Sequence, residues 1–204
     1  MPIRGSTPRE CFDTFRDHVS DLVVNTLPTD AIVRCPLIKG DESKRVLSLG
    51  PANQRSVALP SVVHGRIHVY LAQNLEVARE KDGRFRLTTK NYNYGLFDRE
   101  PGATDEPLFR WEYVADPGPE GKWCRSHFHV GIGQTPRAPI AVTIGKTEAD
   151  LHHLHIPTGF VLIEHVIRFL INDLGVPPKA SWEAKLRESE DKFFAEFSSK
   201  TSSP

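Results

Sequence analysis

The sequence predicts an α+β fold. Residues 1–197 read as one domain, a single antiparallel sheet packed by an N-terminal helix and a buried C-terminal helix, with a terminal helix after them and a disordered tail over 198–204. Three observations carry this. Apolar residues recur at helical spacing near both ends of the chain. Between those ends they come in short runs separated by turn residues, which is a strand pattern. Helices do not alternate with strands, as a parallel sheet would require.

The first helix begins at Thr7, which suits an N-cap; Pro8 fits the first helical position and Glu10 completes a capping box. Cys11, Phe12, Phe15, Val19, Leu22 and Val23 then give one apolar face, and Pro28 ends the helix. Strands follow at 31–38, 45–49, 56–59 and 67–72. Segments 75–80 and 84–89 flank Lys81-Asp82-Gly83. A three-residue loop with Gly83 in the left-handed conformation pairs Val77 with Leu87 and Arg79 with Phe85. Strands at 108–114 and 123–130 bracket a Pro/Gly loop at 116–121 and form a second hairpin. Residues 160–174 are apolar round most of a helix, with Glu164, His165, Arg168 and Asn172 as a narrow polar stripe, a Glu164–Arg168 ion pair at i, i+4, and Gly175 as the stop. Pro177 and Pro178 separate it from a last helix, 181–197, with Ser181 as its cap.

Composition narrows the function. The 204 residues carry 26 basic and 26 acidic side chains, and this neutral balance argues against a generally basic nucleic-acid-binding surface or a polybasic anchor. No window approaches the roughly 18–20 apolar residues of a membrane span and the start lacks an apolar signal region, so the expected compartment is the cytoplasm. Cys11, Cys35 and Cys124 stand far apart with no C-x-x-C pair, which indicates neither a disulfide framework nor a zinc knuckle. Cys124 reads as a buried thiol. Histidine is the clue: five of the nine lie between 127 and 155.

Strand side chains alternate between faces. In the second hairpin, Phe109, Trp111 and Tyr113 therefore share a face with Cys124, Phe128 and Val130, leaving Ser126 as a small polar residue among them. Arg110 and Glu112 share the other face with Arg125, His127 and His129. With Val114 opposite Trp123, the cross-strand pairs are Glu112 with Arg125 and Arg110 with His127. In 151–156, Leu154 and Ile156 need a core, which sends His153 and His155 to the polar side. A solvent-facing sheet is commonly polar, and any single His fits that description. Clustered imidazoles repel when protonated and gain little packing, so seven titratable groups on one face are more than fold stability requires. The pair His64 and His68 reads as a satisfied surface pair at a strand start.

Two mechanisms suit the cluster. In one, a His acts as general base and another as general acid while Arg110 or Arg125 stabilises charge on a phosphoryl group. That chemistry fits cleavage of RNA or a small phosphodiester, because the 2′-hydroxyl of RNA is itself the nucleophile. In the other, His127, His129 and His155 hold a divalent metal such as zinc, with Glu112 as base, although two nearby arginines oppose a further cation. Outside enzymes, the same face suits a protein-interaction or anion-binding module.

Phe109-Arg110-Trp111-Glu112 followed by Ser126-His127-Phe128-His129 resembles segments of the TumE-like toxins of bacterial toxin–antitoxin pairs. The resemblance covers about 20 of 204 residues. It implies a small cytoplasmic protein acting on RNA and held by an antitoxin partner, with Arg110, Glu112, His127 and His129 as site residues. Glu112 stands where that family usually has Asp, no adjacent His pair occurs at 126–127, and this chain is much longer.

Overall fold

The computed structural model describes residues 3–50, 56–102, 104–117, 125–130 and 156–201. Among these, ten strands form one antiparallel sheet, β1 (Arg4–Gly5), β2 (Val33–Arg34), β3 (Leu37–Ile38), β4 (Asp41–Leu49), β5 (Val57–Ser61), β6 (Gly65–Arg79), β7 (Phe85–Phe97), β8 (Phe109–Val114), β9 (Ser126–Val130) and β10 (Ile156–Pro157). The helices are α1 (Pro8–Thr26), α2 (Ile163–Asn172) and α3 (Trp182–Thr201). The sheet runs β10-β9-β8-β7-β6-β4-β2, with β1 on β7, β3 on β4 and β5 on β6. No helix is long and apolar enough to cross a membrane among the described residues.

Local chemistry accounts for the frame. Thr7 Oγ1 accepts the Glu10 N–H at 3.1 Å, while the Glu10 carboxylate reaches past the cap to the Ser6 N–H at 2.7 Å. Helix α1 buries Cys11, Phe12, Val19, Leu22 and Val23 and closes at Leu27, before Pro28. At the other end of the hairpin series, Gly83 takes φ +86°, Val77 pairs with Leu87 and Arg79 with Phe85. The two long strands continue well beyond that turn. The sequence reading split β6 at Gln73 and Asn74, but a register shift between Asn74 and Leu75 carries the ladder through them. Conversely, 31–38 is not one strand: β2 and β3 leave Cys35 and Pro36 between them, and Pro cannot donate to a ladder.

Helix α2 starts later than 160 because Pro157, Thr158 and Gly159 precede it and Val161 donates its N–H to the Tyr92 hydroxyl at 2.8 Å. Its Phe169 ring meets Phe109 and Trp111 edge-on at 5.6 and 5.5 Å between centroids, which fixes the aromatic face of β8 and β9 against the helix. The expected Glu164–Arg168 pair does not form. Glu164 is buried and bonds Ser189 of α3, while Arg168 reaches Glu190 at 3.0 Å. Gly175, at φ +65°, ends the helix with the Val176 N–H on Leu170 O at 3.0 Å. Ser181 precedes α3 at φ +64°, and the helix continues past Phe197 to Thr201, into the segment expected to be tail. Residues 202–204, and residues 118–121 of the loop expected at 116–121, lie outside the described residues.

Candidate metal centre

Alternation places the candidate residues correctly, but the register moves. Glu112 pairs with His127 and Arg110 with His129, two residues along from the expected pairing. Val114 donates its N–H to Arg125 O at 2.9 Å instead of facing Trp123. Packing decides this register. Trp111 opposite Phe128 and Phe109 opposite Val130 stack their aromatics under Phe169, with Trp111 and Phe128 centroids 5.1 Å apart. The small polar residue on this apolar face also has its reason: Ser126 Oγ lies 3.0 Å from the Tyr92 hydroxyl and donates to Gly159 O at 2.7 Å. It pins the start of β9 to β7 and to the segment leading into α2.

On the reverse face, the register brings one carboxylate between two imidazoles. Glu112 Oε2 is 3.1 Å from His127 Nε2 and 3.0 Å from His129 Nε2, and the two rings meet edge-on at 4.8 Å. Both His are buried, at 8% and 6% exposure. The other carboxylate oxygen, Oε1, takes Arg110 Nε at 3.4 Å and the Asn93 amide at 3.4 Å. Glu112 thus divides its oxygens, one toward the imidazoles and one toward the cation. His-x-His on a strand with an acid directly across the ladder puts three donor atoms within 4.8 Å of one another, a group that could hold a metal ion. Two imidazoles and a carboxylate are a ligand set for a borderline divalent ion.

Arg110 also lines a cavity of about 320 Å³ floored by Gly95 and walled by Tyr70, Phe97 and Pro107. A Cβ at Gly95 would stand 3.2 Å from the Phe97 ring, so glycine keeps this hollow beside the site open.

Other expected members do not join. Arg125 is exposed and lines a different cavity, on the helix side of the sheet. Ile156 is not a core residue but 41% exposed, and among the described residues β10 is the last strand of the sheet on that side. His153, His155 and Cys124 lie outside the described residues. His68 contacts Ser56 Oγ at 3.3 Å through Nδ1, and His64 is exposed. Asn93 was missed from sequence. Its only signal was even spacing from Asn91 within β7, which identifies a face but not a neighbour.

An α+β chain with a buried two-His, one-carboxylate group on the sheet face opposite its helices is what fold and site define. The chain matches no protein-family model, no curated protein and no solved structure at significant similarity.

Proposed function

We propose that Glu112, His127 and His129 hold a divalent metal ion, zinc being the favoured one, and that the protein is a hydrolase acting on a phosphodiester, RNA or a smaller one. The convergence of Glu112 Oε2 with two Nε2 atoms at 3.0 and 3.1 Å carries this reading. Ligands about 2.1 Å from one ion stand about 3.0–3.4 Å apart; both carboxylate–imidazole distances meet this, and the three donors, within 4.8 Å of one another, would draw together around an ion. A bound ion would supply Lewis acidity and an activated water in this setting. Among the described residues three protein donors converge, and a catalytic site of this kind pairs three such donors with a water.

Arg110 supports a phosphate substrate. The objection from sequence, that two arginines repel a metal, loses force because Arg125 stands apart and the charge of Arg110 is paired with Oε1, the carboxylate oxygen that the imidazoles do not use. From there its guanidinium borders the hollow over Gly95, where a phosphoryl group would find a fixed positive charge.

A second reading needs no metal. Glu112 already hydrogen-bonds both imidazoles, and a carboxylate so placed orients His127 and His129 for proton transfer. Hydrolysis of bis(p-nitrophenyl) phosphate and of a short RNA, with and without chelator, tests both. The metal reading expects activity that chelation abolishes and zinc or manganese restores. Activity indifferent to chelator and lost in His127→Ala selects the second reading. No cleavage in any condition, with the protein folded, overturns the enzyme and leaves the interaction module or an antitoxin-bound partner role.

A further inference from the structure

The helix side of the sheet carries a second site. Between α1, the start of α2 and strands β6 and β7 lies a cavity of about 400 Å³, within the range of small-molecule pockets. Aromatic rings form part of its wall, Phe15 of α1, Tyr94 of β7, Tyr113 of β8 and Phe160 just before α2, beside aliphatic side chains of α1 and α2. Two buried polar residues, Gln73 and Glu164, line it as well, at 4% and 7% exposure.

Gln73 gives its Nε2–H to the Tyr94 hydroxyl. Glu164 accepts from the Ser189 hydroxyl, and its basic neighbour is His18, whose Nε2 is 4.0 Å from Oε1 and 2.8 Å from Ser189 Oγ. Burial chiefly holds His18 below its usual pKa, so near neutral pH it brings no positive charge to the carboxylate. Burial chiefly, with the charges of Tyr92 and Glu164 adding, keeps the Tyr94 hydroxyl protonated. Aromatic faces are themselves electron-rich and attract cations. Carboxylate and ring faces share one complement, a cation bearing N–H donors on an apolar body.

We propose that this cavity binds a small organic monoamine in its ammonium form, donating to the Glu164 carboxylate with its aryl or alkyl body among Phe15, Tyr94 and Phe160. Arg86 and Arg125 also line the cavity and disfavour a second positive charge, which separates monoamines from polyamines.

Isothermal titration of the full chain with phenethylamine, hexylamine, phenethyl alcohol, phenylacetate and spermidine tests it. Phenethylamine should bind one per chain, with the isosteric alcohol about tenfold weaker or worse, as expected for loss of a charge-assisted hydrogen bond. Phenylacetate and spermidine should bind more weakly still. Glu164→Gln should weaken phenethylamine by about tenfold at least. Phe160→Ala, at a position 39% exposed where folding is least at risk, should weaken it several-fold. Folded wild type that binds neither amine overturns the proposal, as does equal affinity for the alcohol, tighter binding of spermidine, or affinity unchanged in Phe160→Ala and Glu164→Gln.

Discussion

Replacing Glu112 by Ala removes one carboxylate oxygen that two buried imidazoles share. His127 and His129, at 8% and 6% exposure, direct Nε2 to that oxygen at 3.1 and 3.0 Å. A buried donor deprived of its acceptor costs about 1–3 kcal/mol, so two donors give about 2–6 kcal/mol. Glu112 is itself 26% exposed in its side chain, so part of its charge interaction is screened and the low end of that range applies. The expectation is therefore a loss of about 2–3 kcal/mol in metal-free protein. At a urea slope near 2 kcal/mol/M this moves the unfolding midpoint down by about 1–1.5 M. Glu112→Gln keeps a carbonyl acceptor and should lose about half as much. In a cycle with His127→Ala and His129→Ala, the combined loss should fall short of the sum by about 1 kcal/mol or more, because the three side chains form one unit. A Glu112→Ala loss under about 0.5 kcal/mol, the scale of an ordinary surface change, would refute the convergence of these side chains.

Three further outcomes follow from the fold. Gly175→Ala forces a left-handed alanine whose Cβ stands 2.7 Å from Val62 Cγ2 and 2.9 Å from Val63 Cγ2, and should cost about 2–4 kcal/mol by urea unfolding. Gly40→Ala, also left-handed but with nothing within 4 Å, should cost only about 1–2 kcal/mol. Burial depresses the His18 pKa in the folded state, so the folded chain binds fewer protons than the unfolded one; its contribution is present above the ordinary imidazole pKa and is lost as pH falls below it. The urea midpoint should accordingly drop between about pH 6.5 and 5, and His18→Gln should flatten that drop. Cys35, its thiol pushed up to about 11 mainly by burial, should react with iodoacetamide at pH 8 about a hundredfold more slowly in folded than in urea-unfolded protein.

What the sequence made legible was local. Helix α1 could be read from Thr7, Pro8 and its apolar face, and the β6–β7 turn from Lys81-Asp82-Gly83, because caps and tight turns are decided by neighbours in the chain. Face sharing by Arg110, Glu112, His127 and His129 was legible too, since alternation survives a register shift of two. The register itself was not, because it depends on Phe169 packing over Trp111 and Phe109, a contact about 60 residues away in sequence. Glu164 and Arg168 show the same limit from the other side. Their i, i+4 spacing is a genuine helix pattern, yet Ser189, His18 and Glu190 from other helices outcompete it. Gln73 and Asn74 looked like a strand end because their polarity breaks the apolar pattern, whereas in the fold Gln73 lines a cavity and Asn74 bonds Asn91 at 2.8 Å.

The central claim concerns Glu112, His127 and His129, and metal content tests it most directly. Protein loaded with equimolar zinc and dialysed against metal-free buffer should retain about one ion per chain, as a site with three protein ligands does. The same treatment of a Glu112→Gln, His129→Ala variant should leave almost none. Zinc lost by the wild type under this dialysis, or retained equally by the variant, would contradict the account.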